Sequence, residues 1–496
     1  MNAYAARRLV GIDITFKLLD TGAAGNAAPS ASGAEPFSRL PELLDGLATS
    51  PGKIMTMEDG LVVTDGTWDI MPDGMEIPWW STALSDSEGH FDQPPTLTMT
   101  LSAPASSVGF SMAFDEPAGC WPDEVRITAY NGAQQLAQSV FEVTGPLLAA
   151  DMPVEGYNRV VVEFLSTPVP YRRIKLYSFL FGIIQRFDRS TNVTANFSFG
   201  CSAACESIPS AELVFTFENK ERKYNLINPK GIYKYLQDGQ VIETGMTIDG
   251  ERVETGEYYF TKSEAQDGAL TAKITANDRV YAWDRELYND GATGTWTLGV
   301  ALRAVLGPSA VFSFGQGLEV RTVGKAIPVG TSKREAVRLL CQAACCTCWL
   351  DRRGTVVCRE LAVAADSADT LDADNMYTLD GVSVSERVDS VVLTVRDEFS
   401  GEEAQVYTSG TGVNVKSVQN PCVVDGQAVA DWLLGIFRQR LNYDVRNRGN
   451  PAVLTGDTIT IYNAYQEPGR AAVTSQKLSY DGGLTAQTMA LGEAWE

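Results

Sequence analysis

The sequence predicts a multidomain protein that is mainly β, and three observations carry that expectation. Segments that alternate apolar and polar residues recur along most of the chain, among them Glu124-Val125-Arg126-Ile127-Thr128-Ala129-Tyr130 and Glu212-Leu213-Val214-Phe215-Thr216-Phe217. A period of two is that of a strand with one face on a core. Turn-forming pairs such as Pro94-Pro95, Asn131-Gly132 and Glu155-Gly156 separate these segments. The third observation is length: 496 residues exceed what one hydrophobic core organises, so three or four domains are expected.

Residues 1–185 read as a β-sandwich of the jelly-roll kind. Strands are expected over 96–101, 108–114, 124–130, 159–164 and 173–178, regularly spaced and with no long helical period between them. Residues 186–284 stay β, with strands over 212–217, 256–261 and 270–276 and a short helix or turn over 228–236. Residues 285–370 read as a small α+β domain. Thr297 is placed to cap a helix that Gly307-Pro308 stops, and Thr331 or Ser332 caps a longer one with Glu335 set for a capping box. Trp349 to Val357 then looks like a hairpin. Residues 371–496 return to β, with strands over 388–396, 405–408, 458–462 and 476–480. They carry one helix over 427–441, which puts Ala428, Trp432, Leu433, Ile436 and Phe437 on one face.

An apolar share of 44% and a charged share of 21% are those of an ordinary globular protein, so each domain has the means to bury a core. No apolar run is long enough to cross a bilayer; the nearest, 174–181, has the length of a strand. Asp13 interrupts the first apolar stretch, which argues against a secretory leader. With 62 acidic residues against 40 basic ones the formal charge is −22, a field that repels phosphate backbones and argues against sequence-specific nucleic-acid binding. Five of the nine cysteines, Cys341, Cys345, Cys346, Cys348 and Cys358, crowd into one stretch. That is not the spacing of a disulfide scaffold, and reduced thiols are expected.

Trp68, Trp79, Trp80, Trp121 and Tyr171 form the candidate aromatic site. Together with a carboxylate such as Asp69 or Glu116 they suit a sugar-stacking platform or a face that docks a neighbouring subunit. The competing reading, that they are sandwich core, is preferred because such cores need large aromatics anyway. Cys341, Cys345 and Cys348 fall at helical spacing, and Cys345-x-x-Cys348 matches half of a zinc knuckle with no second pair following. Buried core thiols are therefore expected, and no metal or cofactor is assigned. His90 is the sole histidine and lies in a polar, loop-like stretch. With no G-x-S-x-G elbow, phosphate loop or dinucleotide fingerprint, no catalytic residue is assigned and a non-enzymatic protein is expected.

From about residue 196 onward the order of several motifs resembles the hub, or tail-tip, proteins of long-tailed phages and related contractile injection machines. The pieces are Asp238-Gly239-Gln240-Val241, Gly256-Glu257-Tyr258-Tyr259-Phe260 and Ile274-Thr275-Ala276-Asn277-Asp278-Arg279. Lys333-Arg334-Glu335-Ala336-Val337 and Trp349-Leu350-Asp351-Arg352-Arg353-Gly354 follow, then Asn420-Pro421 and Leu454-Thr455-Gly456-Asp457-Thr458-Ile459. The N-terminal third resembles the galactose-binding-like, or discoidin-like, sandwich at the front of some Gram-positive phage tail proteins. Thr67-Trp68-Asp69-Ile70-Met71-Pro72, Trp79-Trp80-Ser81 and Pro170-Tyr171-Arg172-Arg173-Ile174-Lys175-Leu176 carry that likeness.

The resemblance implies that 186–284 and 371–496 are two tail-tube-like β-barrel domains flanking the α+β insert. A homotrimer would then present six barrels to a six-fold tail tube. It implies a virion protein of the tail tip or baseplate, assembled in the bacterial host cytoplasm, that closes the distal end of the tube and lets the genome pass through its lumen. Its expected partners are the tail tube protein, the distal tail protein, the tape measure protein and a tail fibre or receptor-binding protein. Two other readings stay open. One is an adsorption protein whose sandwich binds cell-wall glycan. The other is a tail-associated cell-wall hydrolase, against which stands that the sequence stops at Trp495-Glu496 directly after the last expected strand.

Overall fold

Strands form where apolar and polar residues alternate. In the computed structural model, which describes residues 4, 8–46, 50–71, 77–228, 230–266, 270–288, 294–395 and 405–492, that rule holds along most of the chain. The protein is mainly β and multidomain. It divides into two units: Thr15–Arg186 with Leu226–Val241, and Met1–Ile14 with Phe187–Asn225 and Ile242–Glu496.

In the sandwich unit an antiparallel sheet runs in the order Trp79–Trp80, Lys175–Leu180, Thr96–Phe114, Leu147–Ser166, Glu124–Asn131, Gln134–Glu142, with Ala27–Ala31 also paired to Thr96–Phe114. The two long strands make this arrangement work. Residues 97–101 of the first pair with Ala27–Ala31 and residues 111–114 with Lys175–Leu180. Between Thr100 and Gly109 the register against Leu147–Ser166 shifts three times. Such bulges bend and twist a strand, so one hydrogen-bonded sheet encloses a main core that contains Trp79, Phe110, Phe114, Tyr157, Phe164 and Phe179. The expected strands 96–101 and 108–114 are therefore one strand. The expected turn at Glu155-Gly156 is not a turn; both residues lie inside Leu147–Ser166, with Gly156 at a φ of 67°. Gly132, at 59°, does close a hairpin, onto the largely polar edge strand Gln134–Glu142 that alternation of apolar residues had not revealed.

In the other unit the longest sheet runs in the order Met376–Val384, Leu441–Asn447, Leu484–Gly492, Pro468–Tyr480, Thr194–Gly200, Glu212–Glu218, Thr271–Asn277, Glu251–Glu264, Val241–Ile248. Helices Leu298–Leu306 and Lys333–Ala343 stand where expected. The first stops at Gly307, whose φ of 92° suits glycine, and the second is capped by Ser332, whose hydroxyl accepts the Glu335 N–H at 3.2 Å. The hairpin Thr347–Leu350 with Val356–Arg359 follows. The insert's core does not end at residue 370, however. Helix Gly426–Arg438 buries Val429, Ala430, Leu433, Leu434 and Ile436, and that face packs with Val391 and Leu393 into the same cluster as the two earlier helices. The sequence put Ala428 and Trp432 on the buried face. Trp432 is only half-buried, because the helix turns its 429–433–436 stripe inward instead. Arg396, the expected end of the strand Ser390–Val395, lies outside the described residues.

Candidate functional site

The feature that organises the second unit is a seam between two stretches of chain far apart in sequence. Thr194–Gly200 pairs antiparallel with Pro468–Tyr480, in register from Ala195↔Tyr480 to Gly200↔Ser475. On its other edge Thr194–Gly200 pairs with Glu212–Glu218. The residues expected to form two separate β-domains thus share one ladder, which no hairpin or local turn could set.

Arg352 sits under this seam. Asp351 accepts the N–H groups of Arg353 at 2.9 Å and Thr355 at 2.8 Å, and Gly354 at a φ of 76° completes the tight turn that aims Arg352 inward. Its guanidinium donates to the carbonyl oxygen of Pro451, to that of Val453 at 3.0 Å and to Gln476 Oε1 at 3.2 Å. It also lies 4.7 Å over the Phe199 ring. The insert's hairpin therefore ties both sides of the ladder through one planar cation. Burial brings its pKa down to about 10, so it stays charged at neutral pH.

Beside this anchor is a cavity of about 470 Å³ whose lining includes Glu243, Arg252, Tyr258, Asp278 and Arg279. Two of its cations are already engaged: Arg252 reaches Asp13 at 2.7 Å, and Arg279 Nε donates to the Tyr259 hydroxyl at 2.6 Å. Asp278 caps helix Arg279–Trp283, accepting from the Ser210 hydroxyl at 2.7 Å and from the N–H groups of Ala211 at 3.0 Å and Val280 at 3.1 Å. Even so, burial pushes its carboxyl up to about 6. The folded chain therefore holds a proton between about pH 4 and pH 6 that the unfolded chain has released, and stability falls as pH rises through that window. Urea unfolding between pH 4 and pH 7 is expected to show this slope, and Asp278→Asn to flatten it by about 2–3 kcal/mol.

The five aromatic candidates do not meet. Trp79 and Trp80 are fully buried, their indole N–H groups donating to the Gly33 carbonyl at 3.0 Å and to the Tyr177 hydroxyl at 3.2 Å. Trp68 is buried with Leu61 and Cys120 in a separate small cluster. Trp121 packs half-buried against the main sandwich core. Tyr171 alone is exposed, at 42%, on a backbone with a φ of 57°. His90 is exposed, and its backbone N–H donates to Asp86 Oδ1 at 2.9 Å.

Two clusters escaped the sequence. In the sandwich, Lys175 is enclosed with Glu58 at 2.7 Å and Asp115 at 3.9 Å, its ammonium 4.7 Å over the Trp80 ring. Arg173 adjoins them, paired with Glu35 and 3.8 Å from Glu58. Burial raises the Asp115 carboxyl above its ordinary value. In the α+β core the Sγ atoms of Cys341, Cys348 and Cys358 lie within 4.8 Å of one another. The expected trio of Cys341, Cys345 and Cys348 on one helix face fails because the helix ends at Ala343. Cys345 takes a φ of 54° in the turn beyond, with its sulfur 3.3 Å from Arg321 Nη2, and Cys348 falls on a strand.

No protein-family model and no curated protein matches the chain. Among solved structures it is similar to the tail protein from Neisseria meningitidis MC58, at 13% identity and a TM-score of 0.45 over 61% of this chain and 92% of that one. It is similar also to the 43 kDa tail protein of prophage MuSo2 from Shewanella oneidensis, at 13% and 0.45 over 62% and 95%. A third is prophage tail protein gp18 from Listeria monocytogenes EGD-e, at 10% and 0.42 over 63% and 92%.

Proposed function

We propose that this chain is a structural protein of a phage-type tail and serves as the hub at its tip. The observation that carries the reading is the seam. One chain places strands from two distant regions in a single ladder, so each copy brings two β-bodies already joined edge to edge. Three such copies supply six bodies, which is how a three-fold assembly meets a six-fold tube. Among the described residues, sheet order pairs Met376–Val384 with Leu441–Asn447 at the end of the ladder, and its Tyr377, Val382 and Val384 are exposed at 59%, 49% and 43%. Two register shifts interrupt this strand, a feature that restrains indiscriminate edge pairing while leaving room for a specific partner. The formal charge of −22 suits a conduit along which DNA slides without adhering.

In this reading the hub closes the distal end of the tube, holds the tape measure protein and seats the distal tail and fibre proteins, with no catalytic step of its own. Cryo-electron microscopy of the purified particle tests it. Three copies at the distal end of a six-fold tube are expected; six copies, or a position out on fibres, overturn the hub. Changing both Val382 and Val384 to lysine is expected to alter the isolated chain's stability by no more than about 0.5 kcal/mol. The variant is expected to fail to co-sediment with assembled tails.

A further inference from the structure

Three elements of the α+β core bring cysteines to one point. Cys341 comes from helix Lys333–Ala343, Cys348 from strand Thr347–Leu350, and Cys358 from strand Val356–Arg359, where it is the cross-strand partner of Cys348. The Sγ atoms of Cys341 and Cys358 are 3.9 Å apart. A tetrahedral shell of four sulfurs, each about 2.3 Å from a central ion, has edges of about 3.8 Å. A disulfide needs about 2.05 Å, so the spacing matches the edge of a metal shell and not a bond between sulfurs. Cys346 lies just past the helix end, its Sγ 3.4 Å from the Cys341 carbonyl oxygen and outside that group of three. The three are fully buried, and the group contains no carboxylate or histidine.

We propose that Cys341, Cys348 and Cys358 bind a thiophilic ion of the zinc class. The donor set selects the ion's chemistry: thiolates favour soft ions such as zinc and cuprous copper over magnesium or calcium, which take oxygen. The ion's role is to crosslink. It pins the helix to both strands of the hairpin whose turn carries Arg352, the seam's anchor. Packing of thiols as small apolar groups is the competing account, and it gives no reason for three elements to converge their sulfurs at the spacing of a ligand shell. Each ligating thiol surrenders its proton to solvent, so uptake strengthens as pH rises.

The test uses the full chain, expressed with zinc in the medium and purified anaerobically without chelator. Elemental analysis is expected to find one zinc per chain, retained in Cys120→Ser, whose cysteine lies in the sandwich unit, and lost in Cys348→Ser and Cys358→Ser. Should those variants fail to fold, cobalt added to the chelator-treated wild type decides the question. A strong thiolate-to-cobalt charge-transfer band with the visible bands of a tetrahedral ion is expected. Folded wild-type protein that gives no such spectrum and holds no zinc overturns the site. So do metal that persists in both serine variants, iron with acid-labile sulfide, and a mass showing a disulfide among these residues.

Discussion

Lys175→Ala is expected to cost the sandwich unit about 3–5 kcal/mol, the range for removing one partner of a buried ion pair. The ammonium is 2.7 Å from Glu58 and 3.9 Å from Asp115 and has no access to water. Without it two carboxylates stay enclosed beside a cavity, while Arg173, 3.8 Å from Glu58, is also paired with Glu35. Lys175→Met keeps most of the volume and the contact with the Trp80 ring but not the charge. It is therefore expected to lose nearly as much, which separates electrostatics from packing. Combining Lys175→Met with Glu58→Gln removes both charges and is expected to recover more than half of the loss, because an apolar or neutral pair often matches a buried ionic one. Urea unfolding followed by tryptophan fluorescence reads this directly, since Trp79 and Trp80 lie in the affected region. A single variant as stable as wild type would show that the cluster is solvated in solution.

What the sequence disclosed and what it hid divide along the range of the interactions involved. Ser332 three residues ahead of Glu335, Gly307 after a helical run, and Asn131-Gly132 between alternating segments are signals complete within a few residues, and each structure formed there. The boundary at residue 370 was hidden because the fate of helix Gly426–Arg438 depends on which distant apolar surface receives it. The ladder between Thr194–Gly200 and Pro468–Tyr480 was hidden for the same reason; strand periodicity names a face and never a partner. Lys175 had a local trace that went unread. It opens the strand Lys175–Leu180, in which every residue is buried, and a lysine in a largely apolar run of that length asks for a buried counter-ion. The cysteines misled through periodicity. Helical spacing was projected past Ala343, while the true cluster depends on cross-strand register between Cys348 and Cys358.

Arg352→Ala is expected to destabilise the unit that carries the seam by about 3–5 kcal/mol, more than any one hydrogen bond explains. Three acceptors lose a charged donor at once: the carbonyl oxygens of Pro451 and Val453 and the side-chain amide of Gln476. The space left lies under the Phe199 ring, so dispersion contacts go as well. Arg352→Lys tells the two contributions apart. A single ammonium keeps the charge but cannot span three acceptors in a plane, so it is expected to restore less than half of the loss. Arg352→Met, which refills the space without charge, is expected to restore less still. Hydrogen exchange gives the sharper readout, because it reports where the fold opens. Amides of Thr194–Gly200 and of residues 475–480 are expected to lose protection in Arg352→Ala, while Leu97, Val162 and their neighbours in the sandwich sheet keep theirs. Uniform loss in both units would mean that Arg352 acts on global stability alone. Loss confined to the hairpin Thr347–Arg359 would mean that the ladder holds without it, and the seam would then rest on its backbone pairing.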